Sequence, residues 1–152
     1  MKILMYKLSL PVVIIFCGVL LLNSCKKNTA DSVLSVTPQQ YFENNMVSQD
    51  LLVALAKDNN DDITARFGGY TFRLTVSAKL SGTITAANNL FSVNGTWNID
   101  SAYNNITLAF PLNNISALSF MNKQWKFADR SSSAIKLTAV NRETDILNFV
   151  KK

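Results

Sequence analysis

The stretch Tyr70-Thr71-Phe72-Arg73-Leu74-Thr75-Val76 alternates apolar and polar residues with a period of two. The same alternation runs through Phe91-Ser92-Val93-Asn94-Gly95-Thr96-Trp97-Asn98-Ile99. Successive side chains of a β-strand point to opposite faces of the sheet, so this alternation is typical of strands with one buried and one solvated face. Both stretches therefore predict strands of an antiparallel sheet.

The pattern continues on both sides of these stretches and predicts about eight strands. They are expected near residues 51–57, 70–76, 82–87, 91–99, 105–110, 124–129, 134–140 and 145–151. The apolar run 51–57 fits a helix or a strand by length, and the strands that follow favour a strand. Most connections are short and rich in Asn or Gly, which favours antiparallel neighbours in chain order. The sequence thus predicts a mainly β fold arranged as a meander.

One or two short helices are also expected. Thr37-Pro38 is typical of a helix start, because a capping residue precedes a proline at the first helical position. A short helix is therefore predicted over about 39–46. Within the longest interruption between strands, Ile115, Leu118 and Met121 follow one another at helical intervals, which predicts a second short helix.

The first 24 residues have the pattern of a targeting segment. Lys2 and Lys7 precede an apolar run from residue 8 to residue 22, which is shorter than the roughly 20 residues of a membrane-spanning helix. The run ends in Leu22-Asn23-Ser24-Cys25, which resembles the lipobox of bacterial lipoproteins. This resemblance implies that residues 1–24 are a signal peptide and that Cys25 carries lipid. The protein is then expected in the cell envelope, held on a membrane, with the outer membrane favoured.

Removal of the signal divides the remaining chain into a tether and a domain. Residues 25–36 are mostly small and polar and predict a flexible tether, and residues 37–152 have the length of one domain. Without Lys2 and Lys7, the mature chain has 13 basic and 10 acidic residues, a net charge of +3. The basic residues form no concentrated stripe, which argues against nucleic acid as a partner.

Several short motifs resemble those of the lipocalin-like lipoproteins of flavobacteria and related Bacteroidetes. The motifs are Phe67-Gly68-Gly69-Tyr70-Thr71-Phe72, Asn94-Gly95-Thr96-Trp97, Gln124-Trp125-Lys126-Phe127, Ile135-Lys136-Leu137 and Leu147-Asn148-Phe149. The resemblance covers about residues 51–152. It implies an eight-stranded, lipocalin-like (calycin-type) small barrel over 37–152, following a lipidated cysteine, and implies little about ligands.

Five aromatic residues are candidates for lining a ligand site inside such a barrel: Tyr70, Phe72, Trp97, Trp125 and Phe127. The competing interpretation is that they form the core. An eight-stranded barrel is only wide enough for its own side chains or for one small ligand. The inward set also includes Phe91, Phe110 and Phe149, and so many bulky residues favour a filled barrel.

The available side chains limit the chemistry. The sequence has no His, Cys17 leaves with the signal, and Cys25 is modified, which excludes His- or thiol-dependent catalysis and Cys/His metal sites. The acids are expected in turns and in the tether, with none on an inward strand position. Asp58-x-Asn60-x-Asp62 resembles the start of a calcium loop, but a polar hairpin turn is the favoured interpretation. We therefore expect neither an enzyme nor a bound metal or cofactor.

Three hypotheses for function remain. The first is a non-enzymatic lipoprotein, bound to the membrane through Cys25, whose β domain has a binding or structural role. The second is a carrier or sensor of a small apolar ligand inside the barrel. The third is an inhibitor or docking module for an envelope protein. An interior cavity above about 300 Å³ would favour the carrier, and a filled barrel with an exposed apolar patch would favour docking.

Overall fold

The computed structural model describes residues 36–111, 115–130 and 132–152. Its helices are α1 (Pro38–Asn45), α2 (Ser116–Met121) and one 3-10 helix (Thr64–Phe67). Its strands are β1 (Asp50–Asp58), β2 (Asp61–Asp62), β3 (Thr71–Ala78), β4 (Ser81–Ala87), β5 (Ser92–Ile99), β6 (Asn105–Ala109), β7 (Lys123–Asp129), β8 (Ile135–Ala139) and β9 (Arg142–Lys151).

The strands form a closed antiparallel barrel. From β3 to β9 each strand pairs with the next one in the chain, β1 pairs with β3, and β9 returns to pair with β1. The seam between β1 and β9 is long, running from the pair Leu51–Lys151 to the pair Lys57–Ile146. Eight strands therefore close the sheet, and the predicted mainly β meander with two short helices is confirmed, including the assignment of 51–57 to a strand.

The ninth strand, β2, and the 3-10 helix were not predicted. β2 is two residues long and folds back on β1, so that Lys57 faces Asp62 and Asp58 faces Asp61. The turn between them is Asn59-Asn60, with φ of 51° and 73°. Asn accepts this left-handed conformation more readily than most residues, and two such positions in a row suit a tight hairpin. The predicted turn at 58–62 is therefore confirmed.

The two ends of the barrel are closed by different elements. The α1 end carries helix α1, the β3–β4 turn, the β5–β6 turn and the β7–β8 loop. The α2 end carries helix α2, the 3-10 helix, the β1–β2 turn, the β4–β5 loop and the β8–β9 turn. Because consecutive strands run in opposite directions, successive connections alternate between the two ends.

Helix α1 packs across its end of the barrel. The Thr37 hydroxyl accepts a hydrogen bond from the Gln40 backbone N–H, and the Gln40 side chain accepts one from the Thr37 N–H, which forms a capping box. The buried ring of Phe42 contacts Trp97 at a centroid distance of 5.2 Å. The helix ends at Asn45, and the chain then meets β3 through a bridge between Val47 and Leu74.

The barrel interior is packed with side chains from all eight barrel strands. The alternation in β5 shows the rule: Trp97 and Ile99 are buried, while Asn94, Thr96 and Asn98 are exposed. Side chains with at most 1% exposure, drawn from every barrel strand, include Leu51, Phe72, Leu74, Ile84, Trp97, Ile106, Leu108, Trp125, Ile135, Leu137, Leu147 and Phe149. Burial of each large apolar side chain stabilises the fold by about 1.5–3 kcal/mol.

Candidate functional site

The proposed lipidation residue, Cys25, lies outside the described residues, as do the predicted signal segment 1–24 and the predicted tether up to residue 35. The described chain begins at the exposed Val36 and enters α1 directly. A chain leaving this point towards Cys25 therefore starts from the α1 end of the barrel. None of the helices in the described part of the chain has the length and apolar composition of a membrane span.

The five candidate ligand-lining aromatics are all buried, with exposures of 9% for Tyr70, 7% for Phe127 and at most 1% for the other three. They fall into two groups. Trp97 and Phe127 both contact Phe42 of α1, at centroid distances of 5.2 Å and 6.4 Å. Helix α1 therefore covers both rings at its end of the barrel.

The remaining candidates lie nearer the α2 end. Tyr70 packs on Phe72 at a centroid distance of 6.1 Å, and Trp125 packs on Phe120 of α2 at 5.5 Å. Phe67 of the 3-10 helix contacts both Phe72, at 6.3 Å, and Phe120, at 6.2 Å, and so joins these ring contacts into one cluster. The structure divides the five residues between two clusters that side chains of the helices complete.

Both buried indoles use their N–H groups inside the protein. Trp97 Nε1 donates to the Thr75 carbonyl at 3.1 Å, and Trp125 Nε1 donates to the Met121 carbonyl at 3.0 Å. A polar group of a binding site is normally left free to orient its ligand. These two donors are already paired, so they act in packing.

A buried carboxylate lies near the α2 end, where none was expected. Asp145 occupies an inward position of β9 and is 1% exposed, so the expectation that no acid lies at an inward strand position is wrong. Its Oδ2 accepts a hydrogen bond from Lys123 Nζ at 2.8 Å, and its Oδ1 accepts one from the Asn59 backbone N–H at 2.8 Å. The alternation Asp145-x-Leu147-x-Phe149 was the signal that could have found it.

The surroundings of Asp145 favour its ionised form. Burial tends to raise the pKa of the carboxyl group, but the hydrogen bonds from Lys123 and Asn59 and the nearby charges hold the pKa below its usual value. The Lys123 ammonium also lies over the ring of Phe120, 4.2 Å from its centroid. We therefore describe Asp145, Lys123 and Asn59 as a polar latch that ties β9, β7 and the β1–β2 turn together.

A surface hollow of about 230 Å³ opens beside the polar latch. It is lined by Lys123, Gln124, Ala139, Asn141, Arg142 and Asp145. The Arg142 guanidinium lies 3.6 Å from Asp145 and 3.4 Å from Asp58. The charges around the hollow are thus paired with one another, which leaves no isolated charge in this set to bind an ion.

The candidate calcium loop is a hairpin turn in the structure. Asp58 pairs with Arg142, and Asp62 Oδ1 accepts a hydrogen bond from the Thr64 backbone N–H at 2.9 Å. Throughout the described part of the chain, no group of three or more acids, cysteines or histidines could hold a metal ion. The favoured interpretation of these residues as a polar turn agrees with this geometry.

Two residues that were expected to face inward are exposed. Phe91 is 41% exposed and Val76 is 55% exposed. Phe91 precedes β5, in the β4–β5 loop, where it leans on Tyr70 at a centroid distance of 6.1 Å. Val76 lies in β3 beyond the Val47–Leu74 bridge and next to a bulge before Ala78. In both cases the alternation of apolar and polar residues extends beyond the part of the chain whose side chains face the barrel interior.

Among the described residues, the most exposed large apolar side chain is that of Leu90, with 87% of its surface exposed. It lies beside Phe91 in the same loop at the α2 end. The sequence pattern did not indicate this exposure, because an apolar Leu between Asn89 and Phe91 is equally compatible with the start of a strand.

Comparison of the chain with family models, curated proteins and solved structures found no match.

Proposed function

We propose that this chain is a lipoprotein of the cell envelope, held on a membrane through lipid on Cys25, whose lipocalin-like β domain has a non-enzymatic binding or structural role. The motif Leu22-Asn23-Ser24-Cys25 after a basic and apolar segment carries the proposal of the anchor. The outer membrane is the proposed location.

The packing of the barrel supports a binding or structural role rather than a carrier. Side chains with at most 1% exposure from every barrel strand occupy the interior, and α1 adds Phe42 at 2% exposure. A carrier keeps an interior space of at least about 300 Å³ for its ligand. To accept a ligand, this barrel would have to displace Phe42 or another packed ring, at a cost of several kcal/mol.

The absence of His and of a free thiol from the mature sequence supports a non-enzymatic role. The one inward carboxylate found in the described chain, Asp145, is occupied by Lys123 and by the Asn59 N–H. A carboxyl group that acts as a general acid or base needs an oxygen that can reach a substrate. Asp145 instead links three parts of the fold.

Metabolic labelling with palmitate tests the anchor. We expect label in the wild-type protein and none in the Cys25→Ala variant, which should also keep its uncleaved signal and run at a higher mass. Equal labelling of both proteins, or no labelling of the wild type, would refute lipidation at Cys25.

Native mass spectrometry of the detergent-solubilised protein tests the filled barrel. We expect the mass of the lipidated chain alone. A small molecule that co-purifies in stoichiometric amount and is lost in a Trp97→Arg variant that still folds would instead establish the carrier hypothesis.

A further inference from the structure

The β4–β5 loop presents an apolar tip, which we define as Leu90 and Phe91. Leu90 is 87% exposed and Phe91 is 41% exposed. The tip lies at the α2 end, at the opposite end of the barrel from Val36, where the described chain begins. A Leu and a Phe exposed side by side form a small apolar surface, and covering it with a medium of low polarity is favourable.

The loop that carries the tip is held in one conformation by hydrogen bonds and a ring contact. Asn88 Oδ1 accepts hydrogen bonds from the backbone N–H groups of Leu90, at 2.9 Å, and Phe91, at 3.0 Å. The Asn88 backbone N–H donates to the Phe91 carbonyl at 3.0 Å, and the Phe91 ring packs edge-on against Tyr70. Since the loop is already ordered, little conformational entropy is lost when the tip is covered.

The tip belongs to a side of the barrel that carries a single charged residue. Between Leu80 and Asn122, a stretch of 43 residues, Asp100 is the only ionisable acid or base among Asp, Glu, Lys and Arg. Its carboxylate is engaged by Asn104 and Asn105 within the β5–β6 turn. This stretch supplies β4, β5, β6 and α2, and we call their outer surface the neutral side.

Outward side chains on the neutral side are short hydroxyl and amide groups. They include Thr83, Thr85, Asn94, Thr96 and Asn98. A surface of this kind can approach a medium of low polarity without burying a charge, which would cost far more than burying a hydroxyl or an amide. By contrast, the strands on the far side of the barrel carry Lys136, Arg142, Glu143 and Lys151.

We propose that the apolar tip is a second membrane contact, which enters the interfacial layer of the bilayer that holds Cys25 and turns the neutral side towards that bilayer. The inference rests on the proposed function, because the contact depends on the lipid anchor. It adds an orientation of the barrel and a membrane-binding role for Leu90 and Phe91.

The size of the tip favours a bilayer over a protein partner. A stable protein interface buries about 800 Å² on each partner, whereas two side chains offer a small fraction of that area. For a protein free in solution, burial of two such side chains gives a dissociation constant on the order of millimolar. A tether supplies effective concentrations of this same order, so a lipid-anchored protein populates the contact.

Chain length permits the contact. The segment from Cys25 to Val36 can span at most about 40 Å when extended. An eight-residue strand such as β5 is about 26 Å long. The tip at the far end of the barrel can therefore reach the membrane when the barrel lies on its neutral side.

A single reactive thiol provides the test, because the sulfur of lipidated Cys25 is blocked and Cys17 leaves with the signal. We would label Asn89→Cys with an environment-sensitive fluorophore in the lipidated protein, reconstituted in phosphatidylcholine vesicles. Quenching by brominated lipid should be at least threefold stronger than for a label at Val140→Cys. Val140 is 43% exposed at the same end of the barrel, four strands away around the sheet.

A second substitution tests the role of the side chain itself. In the Asn89→Cys background, Leu90→Asp should reduce quenching at least threefold, and Val140→Asp should leave it unchanged. If the protein binds the vesicles but the label at residue 89 is not quenched, the inference is refuted while the lipid anchor stands. A protein partner would then be the remaining candidate for binding the tip. Failure of every variant to float with vesicles refutes the lipid anchor and the inference together.

Discussion

Gly82 allows Trp97 to lie across β4. The two residues are partners in adjacent strands, and the Trp97 indole reaches over Gly82 to donate to the Thr75 carbonyl in β3. A Cβ atom at position 82 would lie 1.9 Å from Thr75 O and 2.8 Å from Trp97 Nε1. Position 82 therefore requires a glycine, because the Thr75 carbonyl and the Trp97 indole leave no room for a Cβ atom.

Replacement of Gly82 by Ala should lower the free energy of unfolding by at least about 2 kcal/mol, because the backbone of β3 must move or the indole must leave its site. Gly68→Ala is the matched control, since its Cβ would meet its nearest neighbour, Ala65 O, at 3.3 Å. Urea denaturation followed by circular dichroism measures both. Equal stability of the two variants would contradict the assigned role of Gly82.

Asp145 links acidity to stability. Its pKa is lowered in the folded protein, so its contribution to stability is complete above the pKa of the unfolded chain and is lost as the pH falls through the folded value. Asp145→Asn should cost about 2–3 kcal/mol at pH 7, less than the 3–5 kcal/mol of a fully buried pair, because Lys123 reaches solvent.

The same substitution should change the pH dependence. Between pH 7 and pH 3 the wild-type protein should lose more stability than Asp145→Asn, because the variant has no carboxylate to protonate at this site. Asp61→Asn, at an exposed position in β2, is the control and should behave like the wild type. Parallel stability curves for the wild type and Asp145→Asn would show that the polar latch is not coupled to protonation.

At the scale of elements, helix α1 packs on the barrel core through the ring of Phe42. This residue is 2% exposed and contacts Trp97, Tyr103 and Phe127. Phe42→Ala should cost about 3–5 kcal/mol, the usual cost of removing a buried ring. Glu43→Ala, one residue further on and exposed, should cost less than about 0.5 kcal/mol. Thermal or urea unfolding distinguishes the two, and similar values would mean that α1 does not cover the barrel end.

The strands of the barrel could be predicted because alternation reports directly on a sheet with one buried face. Helix α1 could be predicted from Thr37-Pro38, but its role in packing could not, since Phe42 contacts residues such as Trp97 and Phe127 that lie more than 50 positions away. β2 is two residues long and has no periodicity to detect.

The burial of Asp145 in the polar latch could not be predicted from the sequence. Asp145 follows the alternation of β9, but its position beside a turn favoured placing it in the turn. Its burial depends on Lys123 and Asn59, which reach it from β7 and from the β1–β2 turn. A buried charge becomes acceptable only when such partners are present, and their positions are set by the closed sheet.

At the scale of the whole molecule, the barrel should unfold as one unit. Trp97 packs against α1 and Trp125 packs against α2, so each indole reports on a different end. In Trp125→Phe and Trp97→Phe variants, the fluorescence of the remaining tryptophan should follow the same urea transition as the far-ultraviolet circular dichroism of that variant. Separate midpoints within one variant would show that an end opens independently.

The pairing of β1 with β9 also determines when the domain can form. Val53 pairs with Phe149, and these residues are separated by almost the whole length of the domain. During synthesis, β1 cannot form this seam until β9 has emerged from the ribosome. The barrel therefore cannot close before β9 has been made, so the domain completes its fold only after almost all of it has been synthesised.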